Sequence, residues 1–212
     1  MKLGFSGAIE ETIFHLAAWL QVPVIVLALL ALAAVIIESG AFAIEVWQHR
    51  RRSLATLTKL AHAARDELRT ATPDSVAAIL RDAAWTPAMG DTLDAFATTA
   101  AGPAAETLMP KLLADFDFGR QRRLSRTRFL VRVGPALGLM GTLIPLSPAL
   151  EGLAQGDVTT LADNLRVAFS ITVLGLLIGA IAFGLSLVRD RLYGQDYSDL
   201  EYVAAILTED TP

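Results

Sequence analysis

The sequence predicts an all-α, polytopic membrane protein with three transmembrane helices, and three observations carry that prediction. Apolar residues make up 53% of the 212 and charged residues only 19%, with a mean hydropathy of +0.47, far too apolar for an ordinary soluble domain. Three windows carry no charge: Leu16 to Ile37, Val133 to Leu150 and Val167 to Val188. Each approaches the roughly 20 apolar residues that an α-helix needs to cross a hydrocarbon core of about 30 Å. No segment alternates with the period of two that a strand would require.

Taken in order, residues 1–15 are an N-terminal segment, and 16–48 hold the first transmembrane helix with its continuation. A cleavable leader is not expected, although "SGAFA", ending at Ala43, loosely resembles a cleavage site. The apolar run is longer than a leader's core, and Glu10 and Glu11 outweigh Lys2 before it. Residues 49–132 form a polar helical region. Within it, "LATLTKLAHAARDEL" has small and apolar residues at helical spacing, Pro73–Asp74 is a helix start, and Glu106 to Arg132 runs on with almost no breaker. "TPAMGD" and "TTAAGP" read as turns. Residues 133–150 are the second transmembrane helix, with Pro145 and Pro148 expected to kink or end it. A short loop at 151–163, a third transmembrane helix at 164–188 and a tail at 189–212 complete the chain. The first and third membrane helices are expected to continue as stalks beyond the bilayer.

Charge sets the orientation. The polar region holds 14 of the 18 Lys and Arg, whereas Glu151 to Asp163 has none and three acids. Basic loops stay on the cytoplasmic side, so the polar region and the tail, with Arg189 and Arg191, are cytoplasmic, and the N-terminus and the acidic loop are periplasmic. The basic clusters abut the apolar spans, where they meet lipid head groups rather than nucleic acid. Without cysteine there is no disulfide framework or thiolate metal site.

The second and third spans each have one nearly side-chain-free face. Gly134, Pro135, Gly138 and Gly141, with Thr142 at the edge, mark it on the second. Ala168, Thr172, Gly175 and Gly179 mark it on the third, with Gly175 and Gly179 forming G-x-x-x-G. Small faces let backbones approach closely in lipid. They can serve packing alone, and membrane threonines commonly bond their own helix. "GLMGTL" lacks the lysine of a phosphate loop. Neither span has a carboxylate, the usual membrane proton carrier, so a proton-conducting chain would need one from another polypeptide. Glu38 and Arg166 flank the spans as interfacial charges, and His15, His49 and His62 are dispersed. With no nucleophile–base pair and no metal cluster, the chain is expected not to be an enzyme.

"GPALGLMGTLIPL" (134–146) and "LADNLRVAFSITVLGLLIGAIAFGL" (161–185) resemble the MotA/TolQ/ExbB family, the channel subunits of ion-driven motors in bacterial inner membranes. The resemblance implies a homopentameric ring whose second and third spans line a pore around two copies of a single-span partner like ExbD, TolR or MotB, which carries an essential aspartate. It implies that Thr142 and Thr172 line the ion pathway. No cofactor is implied beyond the coupling ion, a proton by the shortage of polar groups in these spans, with sodium as the alternative. ExbB- and TolQ-like members tend to carry a glutamate where this chain has Val167, which puts a route through that carboxylate in doubt. The competing expectation is a structural scaffold whose small faces only pack helices.

Overall fold

The computed structural model describes residues 12, 15, 16, 19–68, 72–100 and 102–209. Of the 1–15 segment, only residues 12 and 15 are among them. These residues form α1 (Gln21–His49), α2 (Leu54–Glu67), α3 (Pro73–Arg81), α4 (Pro87–Ala100), α5 (Ala105–Ala154) and α6 (Val158–Thr208). α1, α5 and α6 are long and apolar enough to cross a membrane. The chain divides into two compact units, one drawn from Met1–Ser39 and Arg126–Ser186, the other from Gly40–Ser125 and Leu187–Pro212.

The first unit buries small residues together with a few large ones, Leu137, Ile171 and Ile178 among them, and leaves many large apolar side chains exposed. α1 buries Val24, Ala28, Ala31 and Val35, one face at helical spacing, while Leu29, Leu30, Ile36 and Ile37 are exposed. α6 buries Ala168 and Ala182 and exposes Phe169, Val173, Leu176 and Phe183. A water-soluble fold does not leave so many large apolar side chains exposed. In lipid, whose tails are as apolar as leucine, packing selects the residues that let backbones approach.

The second unit has the opposite, water-soluble pattern. Leu57, Leu80, Met89, Leu93, Phe96 and Leu200 form its core, drawn from α2, α3, α4 and the end of α6, with Met109 and Leu113 of α5 packed in. Its helix starts follow local chemistry. The Ser53 side chain caps α2 by accepting from the Thr56 backbone N–H at 3.3 Å. Pro73 opens α3 with Asp74 in its first turn. "TPAMGD" is not a turn throughout, because Pro87 opens α4.

Two further expectations differ from the structure, that Pro145 and Pro148 end the second span and that 151–163 is a loop. α5 runs through Pro145 and Pro148 to Ala154. Each proline removes one backbone donor, but a membrane helix keeps its remaining bonds because nothing outside replaces them. The 151–163 segment is mostly helical, leaving residues 155–157 as the connection. Gly156, at φ +79, is the left-handed residue that ends α5. Asp157 N–H donates to the Gly152 carbonyl at 2.8 Å and Gly156 N–H to Leu153 at 3.0 Å, a Schellman closure. The Asp157 carboxylate then accepts from the Thr159 and Thr160 N–H groups, each at 3.1 Å, and starts α6. The first and third spans do continue, α1 past its apolar run to His49 and α6 to Thr208, and the second lies in a helix just as long, α5, with 50 residues. After His49 a turn through residues 50–51 leads to the Ser53 cap.

Candidate functional site

Within the first unit, the small faces of α5 and α6 meet each other. A Cβ placed on Gly175 would lie 2.5 Å from the Gly134 carbonyl oxygen and 2.7 Å from Gly138 Cα. One on Gly134 would lie 2.8 Å from the Gly175 carbonyl oxygen, and one on Gly179 would lie 2.8 Å from the Pro135 ring. Gly141 faces Ile171. Gly134, Gly138, Gly141, Ala168, Gly175 and Gly179 are all buried. Glycine at the first pair is a steric requirement, because backbone meets backbone and neither side can yield.

Thr142 and Thr172, both half-buried, converge on one atom, the Gly138 carbonyl oxygen. Thr172 Oγ1 donates to it across the helix contact at 3.1 Å and lies 3.2 Å from the Ala168 carbonyl of its own helix. Thr142 Oγ1 donates to Leu139 at 2.8 Å and lies 3.5 Å from the Gly138 oxygen. A hydroxyl has one proton and two lone pairs. With each proton directed at a carbonyl, what each threonine offers any further group is acceptance.

No ionisable side chain lies in the sequence from Val133 to Leu150 or from Val167 to Val188. Val167 is 40% exposed. Near the start of α6, Asp163, Arg166 and Ser170 line a shallow cavity with Ile25 and Ile171. Glu38 is half-buried and Arg166 exposed.

The second unit holds a buried polar network that sequence reasoning missed. Arg189, 2% exposed, donates to Glu45 at 2.9 and 3.3 Å. Asp196 accepts from Trp85 Nε1 at 2.8 Å and faces His49 Nδ1 at 3.3 Å. Burial raises its carboxyl above the ordinary range, against the Trp85 hydrogen bond that lowers it. Arg52 forks onto Asp199 at 2.7 and 2.9 Å. These partners lie 111 to 147 residues apart. The only sequence signal is Arg189, Asp196 and Asp199, at intervals that place them on one face of a helix.

A comparison of the chain with curated proteins finds no match. Residues 106–188, which include both small faces, both threonines and the tight turn between them, match the family model of the MotA/TolQ/ExbB proton channel family, bearing out the resemblance read from the sequence.

Proposed function

We propose that the chain is the channel-forming subunit of a proton-motive-force-driven motor in a bacterial inner membrane. In this reading it assembles as a homopentamer around two copies of an ExbD-, TolR- or MotB-like single-span partner, with its N-terminus periplasmic and its C-terminus cytoplasmic. The observation that carries it is the pairing of charge-free spans with two hydroxyls whose protons are already committed.

The mechanism follows from that commitment. A partner carboxylate has nothing to donate and meets only lone pairs at Thr142 and Thr172. Once protonated, it becomes a hydrogen-bond donor and loses the cost of placing a charge in low dielectric. The wall therefore accepts the acid in its neutral form and rejects the anion, which lets proton arrival and departure move the partner helix relative to the ring. The membrane potential contributes about 2.3 kcal/mol per charge per 100 mV, several times RT, to each cycle.

The test is coexpression with a single-span protein carrying a membrane aspartate, copurification, subunit counting and proton flux in liposomes. Flux that needs both chains and the partner's aspartate supports the reading. A stable complex without flux favours the scaffold reading, which the direct packing of the two small faces within one chain also supports.

A further inference from the structure

The first unit carries a shallow groove of about 380 Å³ between α1 and the start of α6, lined by Ile25, Asp163, Arg166, Val167, Ser170 and Ile171. The α6 residues recur at i, i+3, i+4, i+7 and i+8, which is one face of a helix. Their polarity is ordered along it. Asp163 and Arg166 come first, and the apolar Val167 and Ile171 follow, with Ile25 of α1 in the same lining. Val167 opens the charge-free run of α6, so the charged end of the groove lies at head-group depth and its apolar end in hydrocarbon.

The two charged side chains are exposed. Among the described residues neither has an ion-pair or side-chain hydrogen-bond partner, and they do not pair with each other although they stand one turn apart. The Ser170 hydroxyl is already committed, donating to the Arg166 carbonyl at 2.8 Å, so the guanidinium supplies the donors in this lining. The next acid toward the connection, Asp157, is occupied by the Thr159 and Thr160 N–H groups. What the groove offers is one cation and one carboxylate above an apolar slot.

We infer that this groove binds one phospholipid with a primary-amine head group, phosphatidylethanolamine in kind, from the leaflet next to the α5–α6 connection. The Arg166 guanidinium forks onto the phosphate. Asp163, about 4.5 Å further toward water along the helix axis, accepts from the ammonium, which two carbons separate from that phosphate. The upper methylenes of one acyl chain lie along Val167, Ile171 and Ile25. The pairing selects the amine. A trimethylammonium has no N–H to donate to Asp163, and a glycerol head group brings the phosphate without a cation and leaves the carboxylate beside an anion. The site does not depend on the channel reading.

The test titrates dioleoyl phosphatidylethanolamine, phosphatidylcholine and phosphatidylglycerol, each alone, into the full chain in detergent and counts retained lipid by native mass spectrometry. The ethanolamine lipid should bind about fivefold more tightly than either of the others, the effect of one hydrogen bond. Arg166→Gln should weaken its binding about fivefold. Asp163→Asn should abolish its preference over phosphatidylcholine and leave phosphatidylcholine binding unchanged, a result that general attraction to basic residues does not produce. Arg126→Gln, at an exposed arginine of α5 outside the groove, should leave the preference intact. Equal retention of the three lipids, or a preference that survives Asp163→Asn, overturns the inference. So does a preference seen only in dissociated subunits and lost when the chain is oligomeric, which makes the groove an interface between copies.

Discussion

The hydroxyl of Thr172 donates to the carbonyl oxygen of Gly138 at 3.1 Å, across the closest contact between α5 and α6. That bond makes the threonine both a packing residue and, through its free lone pairs, an acceptor. Substitution separates the side chain's shape from its oxygen. Thr172→Val keeps the shape and removes the oxygen, so under the proposed function proton flux through the complex with a partner should fall by about fivefold or more, the equivalent of one hydrogen bond of about 1 kcal/mol. Thr172→Ser restores the oxygen and should restore flux. Copurification of the subunits should be unchanged in both. Flux equal to wild type in the valine variant removes Thr172 from the pathway.

Gly175 and Gly40 make a matched pair for the steric argument. A Cβ at Gly175 collides with the backbone of Gly134 and Gly138, whereas one at Gly40 meets nothing within 4 Å. Gly175→Ala should therefore destabilise the first unit by about 1–3 kcal/mol through overpacking. Gly40→Ala, in a helix interior, should stabilise by about 0.5–1 kcal/mol. Thermal unfolding in a single detergent reads both signs, and equal behaviour of the two variants contradicts the packing described.

These glycines show how much was legible. The spans were readable because bilayer thickness imposes run length, and the small faces because a helix converts spacing into angle. That α5 and α6 turn those faces toward each other depends on a connection of three residues, and only the backbone reveals the φ of Gly156 and its two closing bonds. The ion pairs of the second unit were illegible for a different reason. Glu45 and Arg189 sit 144 positions apart, and nothing local in either neighbourhood names the other. The hydroxyl of Thr172 was likewise unreadable, since a threonine's neighbours in sequence do not say which carbonyl it meets across a helix contact, whereas Thr142 bonds its own helix, as membrane threonines commonly do.

Asp196 is the hub of the second unit's network. Asp196→Ala strands the buried Trp85 N–H and should cost about 1–3 kcal/mol, while Asp196→Asn keeps an acceptor and should cost less. Because burial raises its carboxyl above the unfolded value, its contribution is full below the unfolded carboxylate pKa and declines as pH rises through the folded one. The Asn variant should therefore show a flatter stability profile in the acid range. Denaturant unfolding followed by fluorescence across pH, with Trp19 and Trp47 replaced by Phe so that Trp85 alone reports, tests this, and a profile as steep as that of the same background without the Asn substitution contradicts it.

Tyr193 supplies the alkaline counterpart. Burial, with the Glu45 carboxylate next and Arg189 and Arg123 opposing, pushes its phenol up to about 12. An unfolded tyrosine ionises near 10. The folded state therefore holds its proton where the unfolded state releases it, so stability is intact below about pH 10 and falls as pH rises toward 12. Tyr193→Phe should remove that share of the alkaline loss and leave neutral-pH stability within about 1 kcal/mol of wild type. Absorbance titration at the tyrosinate band, with one phenol fewer ionising in the high range, provides the independent check.

Arg189 and Glu45, among the described residues, form an ion pair with a deeply buried cation, its side chain 3% exposed against 25% for Glu45. Desolvating a guanidinium this completely is costly, and removing its partner is costlier than removing both charges. Glu45→Leu leaves Arg189 buried without its carboxylate and should destabilise by about 3–5 kcal/mol. Glu45→Leu combined with Arg189→Met restores an uncharged interior and should recover most of that loss. A double-mutant cycle on unfolding free energies measures the coupling directly, because the pair is in contact and its effects are non-additive. If the double variant is as unstable as the sum of the two single ones, the pair does not hold the end of α1 to α6 as its geometry requires.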